Sequence, residues 1–181
     1  ALPIYGFISA IDVAMLEHSI DVLKSQSTVV LAVNCSVLTI EQSSNELLSL
    51  IYRHMDLADR LVFEITETVP IRDKSRLNRF MAAARLICSR VAVDDFGNGH
   101  FTFTQLREIR PDFIKLSGRL VNDLRGMHGV VREVMSVASE WGGVVVAEQV
   151  DTAEKLAALR QLGVAYAQGY YLGAPAESIE E

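Results

Sequence analysis

The chain has 181 residues, half of them hydrophobic, with 17 Lys and Arg against 23 Asp and Glu for a formal net charge of -6. That is enough apolar material for one sizeable core and too little for two comfortable domains. The acidic balance excludes a nucleic-acid backbone as the expected partner, although a local Lys or a bound cation still admits a small anionic ligand. The two cysteines, Cys35 and Cys88, lie in or beside apolar runs and read as buried free thiols, and their number excludes a thiolate zinc site. No apolar run approaches the roughly 20 residues that span a bilayer, so the expectation is a soluble, cytoplasmic segment, with the cytoplasmic part of a membrane-anchored protein as the alternative.

In chain order, apolar strands alternate with helical stretches. A helix is expected over 10–25, then the strand TVVLAVN at 28–34, a helix over 43–55 and the strand RLVFEIT at 60–66. The stretch 73–88 carries Leu77, Phe80, Met81, Ala84 and Ile87 or Cys88 at three- and four-residue spacings, with Asp73 placed to cap it. The strand RVAVDDF at 90–96, a helix over 101–108 and the strand DFIKLS at 112–117 follow. A long helix over 119–140, the strand GVVVAEQ at 143–149, a helix over 152–161 and a short strand at 165–170 complete the chain. The near-continuous Val, Ile and Leu content fits strands covered on both faces, as in parallel sheets with right-handed crossovers. Six strands are readable where a closed barrel takes eight, and the abrupt start ALPIYGF suggests that first elements lie outside this stretch.

Each strand leaves a polar residue near its C-terminal end: Asn34, Glu64, the pair Asp94–Asp95, Lys115, Glu148 and Gln168. Parallel strands present those ends on one side, where α/β proteins build their sites. Convergent carboxylates repel unless cations sit among them. Oxygen donors at Asn34, Glu64 and Asp94 suit one Mg²⁺ or Mn²⁺, and Asp95 with Glu148 a second. Two such ions about 3.5–4 Å apart clamp a phosphodiester, with Lys115 placed to orient or deprotonate the attacking water. Singly, these residues have structural alternatives. Asn34 caps a turn, Glu64 forms an internal ion pair with Lys115, Asp94–Asp95 caps the next helix, and Gln168 satisfies loop backbone. His18, His54 and His128 lack any partner pattern, and GYYLGAP reads equally as a ligand rim or as packing for the last strand.

Taken together, AVNCS, FEITET, AVDDFGNGH, FIKLS, VVAEQVDT and YAQGYYLGAP resemble, in order, the successive motifs of the EAL-domain cyclic di-GMP phosphodiesterases. The resemblance implies an α/β, TIM-like barrel lacking its first elements, with residues 1–181 forming one EAL-type domain. It implies cleavage of cyclic di-GMP to 5′-pGpG with two Mg²⁺ or Mn²⁺ ions. Asn34, Glu64 and Asp94 would bind one ion, and Asp94, Asp95 and Glu148 the other. It makes Lys115 the residue assisting water, Glu67 a stabiliser of the loop after DDFG, and Gln168 a contact to substrate or the site edge. The partners it implies are cyclic di-GMP, a second copy in a homodimer and an attached sensory or GGDEF-type domain, with no DNA or RNA.

The sequence also departs from that pattern. The Glu-Ala-Leu motif is absent from these residues, Leu116-Ser117 stands where Ile-Asp is usual, and Gln149 stands where a glycine is usual. Asp151 replaces the usual Glu, and His100-Phe101 stands where Tyr and Ser are common. These departures support a second expectation: a degenerate domain that binds cyclic di-GMP or a protein partner without turnover.

Overall fold

The computed structural model describes residues 4–66, 71–87, 89–99 and 101–176. Two compact units divide the chain, residues 1–93 and 94–181.

In the first unit, helix α1 (Ile4–Ser25) leads to β1 (Leu31–Ser36), α2 (Val37–Tyr52), a 3₁₀ turn (Met55–Arg60), β2 (Leu61–Thr66), α3 (Lys74–Leu86) and the start of β3 (Arg90–Phe96). The three strands are parallel, with β2 between β1 and β3 as the barrel order requires. Phe63 of β2 is fully buried and meets Phe80 of α3 edge-on, ring centroids 5.2 Å apart. Leu77, Met81, Ala84 and Ile87 join that core, as their spacing predicts, while Cys88 lies outside the described residues. The Cys35 thiol is buried, and burial pushes its pKa up. Arg60 closes the far end of α1 by donating to the carbonyls of Leu23 and Gln26 at 2.9 and 2.5 Å.

Helix α2 starts at Val37, six residues before the sequence expectation, because Ser36 caps it through the Thr39 amide. Asp12 of α1 reinforces that start, accepting from the Ser36 amide and the Thr39 hydroxyl at 2.8 and 2.5 Å. The expected beginning, Ser43, is instead a kink within the helix, with φ -128° and ψ 21°. Asp73 caps α3 by accepting from the Arg76 amide, as expected.

In the second unit, the end of β3 is followed by α4 (Phe103–Ile109), β4 (Phe113–Leu116), α5 (Gly118–Asn122), α6 (Leu124–Ser139), β5 (Val144–Ala147), α7 (Ala153–Gln161) and β6 (Tyr166–Ala167). Strands β4, β5 and β6 pair in parallel, and the Phe96 carbonyl at the end of β3 accepts from the Ser117 amide at the end of β4. The single helix expected over 119–140 is two helices. Asp123 interrupts the backbone and caps α6 through the Gly126 amide, which also places His128 on a helix rather than in a turn. Val131, Val134 and Val137 of α6 are buried, as are Ile114, Leu116 and Ala147 on the strands. Among the described residues no helix is long and apolar enough to cross a membrane. Parallel strands flanked by helices make this the α/β, TIM-like architecture that the sequence predicts.

Candidate functional site

In the first unit, Asn34 and Glu64 share one register position of β1 and β2, so both side chains leave the sheet on the same side. Asn34 is exposed and Glu64 half-buried.

The second unit gathers more charge. Lys115 leaves β4 almost wholly buried, 7% exposed, with its ammonium 2.8 Å from Asp94 Oδ1 and 2.9 Å from Glu148 Oε1. Gln168 donates to the same Glu148 oxygen at 2.7 Å. Main-chain bonds fix these side chains: the Glu148 amide donates to Leu116 O, the Gln168 amide to Ala147 O, and the Val150 amide to Gln168 O. Two carboxylates thus share one ammonium at the strand ends. Burial raises the Glu148 pKa above the usual glutamate value, the Asp94 and Asp95 charges add to the rise, and Lys115 opposes it.

Two buried polar atoms in this cluster lack a hydrogen bond. Asp94 Oδ1 has its charge contact with Lys115, but the approach does not make a hydrogen bond. The Ser117 hydroxyl, on a fully buried residue, has no partner. An orphaned hydroxyl costs about 1–3 kcal/mol, so Ser117 Oγ marks a place where a further group would be welcome.

Asp95 does not join its neighbour. It is exposed, with φ 54°, and its carboxylate faces the Asn98 amide at 3.4 Å. Glu67 lies outside the described residues. Beside Glu148 and Gln168 opens a cleft of about 710 Å³, lined also by Gln149, Asp151 and Tyr170. Tyr170 is 76% exposed, and Tyr171 and Leu172 are exposed too, so GYYLGAP forms a rim rather than packing the last strand. The sequence reading missed the left-handed backbone of Gln149, φ 52°. Its signal was the residue's departure from the usual glycine, because glycine is the default where φ is positive.

The oxygen chemistry of Asp94 and Glu148 suits a hard divalent cation. Their arrangement suits a pair of ions less well. Lys115 already lies against both carboxylates, and Ser117 brings a hydroxyl instead of a charge. Among the described residues no group of three or more His, Cys, Asp or Glu comes together to hold a metal ion.

The fold is that of an α/β protein whose parallel strands carry acids, amides and a lysine at their C-terminal ends. The EAL domain family profile matches residues 3–175, and the chain belongs to that family. It is 34% identical over 116 residues to the cyclic di-GMP phosphodiesterase PdeB of Shewanella oneidensis, covering 62% of this chain and 14% of that protein. Among solved structures, the Klebsiella pneumoniae BlrP1 manganese/cy-diGMP complex superposes with a TM-score of 0.75 at 25% identity, over 92% of this chain and 43% of that one. The Bacillus subtilis YkuI protein, with an EAL domain, superposes with a TM-score of 0.86 over 100% of this chain and 47% of that one, and its 22% identity speaks for the fold. The chain spans 14% to 26% of the length of the first curated relatives.

Proposed function

We propose that this domain recognises cyclic di-GMP at the C-terminal ends of its strands and acts as a receptor that does not turn the nucleotide over. The observation that carries the reading is the Lys115 ammonium against both Asp94 and Glu148. That cation already lies against both acids and offsets part of their charge, while Ser117 and Gln149 alter the strand ends beside them. The phosphodiester edge would face the strand ends, and the cleft rimmed by Tyr170 offers an aromatic surface to a base. Similarity to proteins named as cyclic di-GMP phosphodiesterases and to a cyclic di-GMP complex supports the ligand class.

Hydrolysis is the second reading, favoured by the presence of Asn34, Glu64, Asp94, Asp95, Lys115 and Glu148 at successive strand ends. On that reading Mg²⁺ or Mn²⁺ would be held by Asn34, Glu64, Asp94, Asp95 and Glu148, and would supply charge stabilisation and an activated water. Lys115 would orient that water, Glu67 would steady the loop after Asp95, and Gln168 would hold Glu148 at the site edge. Residues 1–181 would act as one EAL-type domain, in a homodimer or behind a sensory or GGDEF-type domain.

Calorimetry with cyclic di-GMP in Ca²⁺, paired with product chromatography in Mn²⁺, separates these readings on the intact protein. The receptor reading expects saturable binding and no 5′-pGpG. Product that accumulates in proportion to protein and is lost in Asp94→Ala establishes hydrolysis instead, and neither binding nor product leaves a protein-interaction module.

A further inference from the structure

The exit of β5 runs between two positions that lack a Cβ. On the β4 side, the Gln149 amide lies over Gly118, so that a Cβ there would fall inside the amide, 2.7 Å from Nε2 and closer still to Cδ and Oε1. On the β6 side, a Cβ on Gly169 would run into the Val150 backbone. Gln149 reaches its place with φ 52°, a conformation that is strained for a residue bearing a Cβ. Strain of that kind persists only where surrounding contacts hold it. The contacts are at hand: Glu148 N to Leu116 O before the strained residue, and Val150 N to Gln168 O after it.

Gln149 follows Glu148, and Gly118 follows Ser117, so the amide spans the two strand exits from which Glu148 and Lys115 meet. We infer that Gln149 is a positioning residue, a latch whose amide, seated on Gly118, holds Glu148 against Lys115 and so keeps that carboxylate from a divalent cation. The inference rests on the receptor reading and supplies its physical cause. A cation at Glu148 would sit beside the Lys115 ammonium and be repelled by it unless the carboxylate swings away, and the latch fixes the backbone from which it would swing. Gly118 is required for space, since its own backbone is not in the left-handed region.

Three variants of the intact protein test the latch, with Mn²⁺ affinity read by electron paramagnetic resonance in the absence of nucleotide. Gln149→Asn tolerates the left-handed backbone but is one methylene too short to cover Gly118. Gln149→Gly removes both strain and amide. Gly118→Ala places a methyl where the flexible end of Gln149 lies and pushes it off. Each change is expected to tighten Mn²⁺ binding about tenfold, and Gly118→Ala added to Gln149→Gly is expected to change nothing further, because both break one contact. Unchanged Mn²⁺ affinity in Gln149→Asn and Gln149→Gly overturns the latch, as do additive effects of Gln149→Gly and Gly118→Ala. Should Gly118→Ala not fold, the two Gln149 variants decide. Equal gains support the amide contact, whereas a gain confined to glycine assigns the effect to backbone strain and overturns the latch. Calorimetry on the unaltered protein keeps the two ideas apart: no cyclic di-GMP binding sinks the receptor reading, while the Mn²⁺ titrations still judge the latch.

Discussion

The two halves of the chain reach their strand ends by different means. In residues 1–93, fully buried aromatic and aliphatic side chains such as Phe63, Phe80 and Met81 form the core on the face of β2 opposite Glu64. Residues 94–181 place an ammonium between two carboxylates instead, with two buried oxygens lacking hydrogen bonds. All the described non-glycine residues with positive φ, Asp95, Arg110 and Gln149, lie in this second unit. Two of them directly follow a site acid. Volume therefore organises the first unit, while charge and backbone strain organise the second, and strain collects where recognition is expected.

Truncation exposes the contrast most strongly. Phe63→Ala should destabilise the first unit by about 4 kcal/mol, because the cavity beside Phe80 cannot close. A urea titration checks it, and a loss under 1 kcal/mol would show that this core is loosely packed. Lys115→Ala should cost about 3 kcal/mol for a different reason, leaving two largely buried acids without their cation. Here a compensating experiment sharpens the distinction. Asp94→Asn and Glu148→Gln combined with Lys115→Met should restore most of the lost stability, since a neutral cluster carries no unpaired charge. If the triple variant is as unstable as Lys115→Ala, packing rather than charge governs the second unit too.

Acidity gives a smaller effect confined to the second unit. Glu148, its pKa raised chiefly by burial, holds its proton more tightly folded than unfolded. Its contribution to stability is therefore complete below the ordinary glutamate pKa and is lost as pH rises through the raised value. Relative to Glu148→Gln, the unaltered protein should lose stability as pH rises from the ordinary glutamate range through the raised pKa, measured as the shift in urea midpoint. A gap that widens in favour of the unaltered protein as pH rises would contradict the assignment. The smallest change is Thr102→Ala, which removes the capping box that Thr102 shares with Gln105 at the start of α4 and should cost about 1 kcal/mol in the same titration.

The sequence pattern exposed the strands most fully where apolar runs were longest. RLVFEIT and RVAVDDF became β2 and β3 almost residue for residue. The beginning of α2 was hidden because Ser36 directly follows an apolar strand, and its capping role depends on local geometry and on Asp12, twenty-four residues earlier. The break between α5 and α6 was hidden because Asp123 sits inside an otherwise helical periodicity. At the site, strand-end position was enough to single out Asp94, Lys115, Glu148 and Gln168, which the fold brings into contact. It did not distinguish Asp95 from Asp94, because one positive φ turns the second acid towards Asn98. The ion pairs of Lys115 with Asp94 and Glu148 were equally out of reach, because strand-end position alone does not say which acids an ammonium meets.

The central claim is that Lys115 remains the charge partner of Asp94 and Glu148 when nucleotide binds. A crystal structure of the intact protein with cyclic di-GMP and Mn²⁺, with anomalous scattering recorded for manganese, tests it most directly. The account predicts bound, uncleaved nucleotide and Lys115 Nζ still within ion-pair distance of both carboxylates. Two manganese peaks about 3.5–4 Å apart, coordinated by Asp94 and Glu148 with Lys115 displaced, would contradict it.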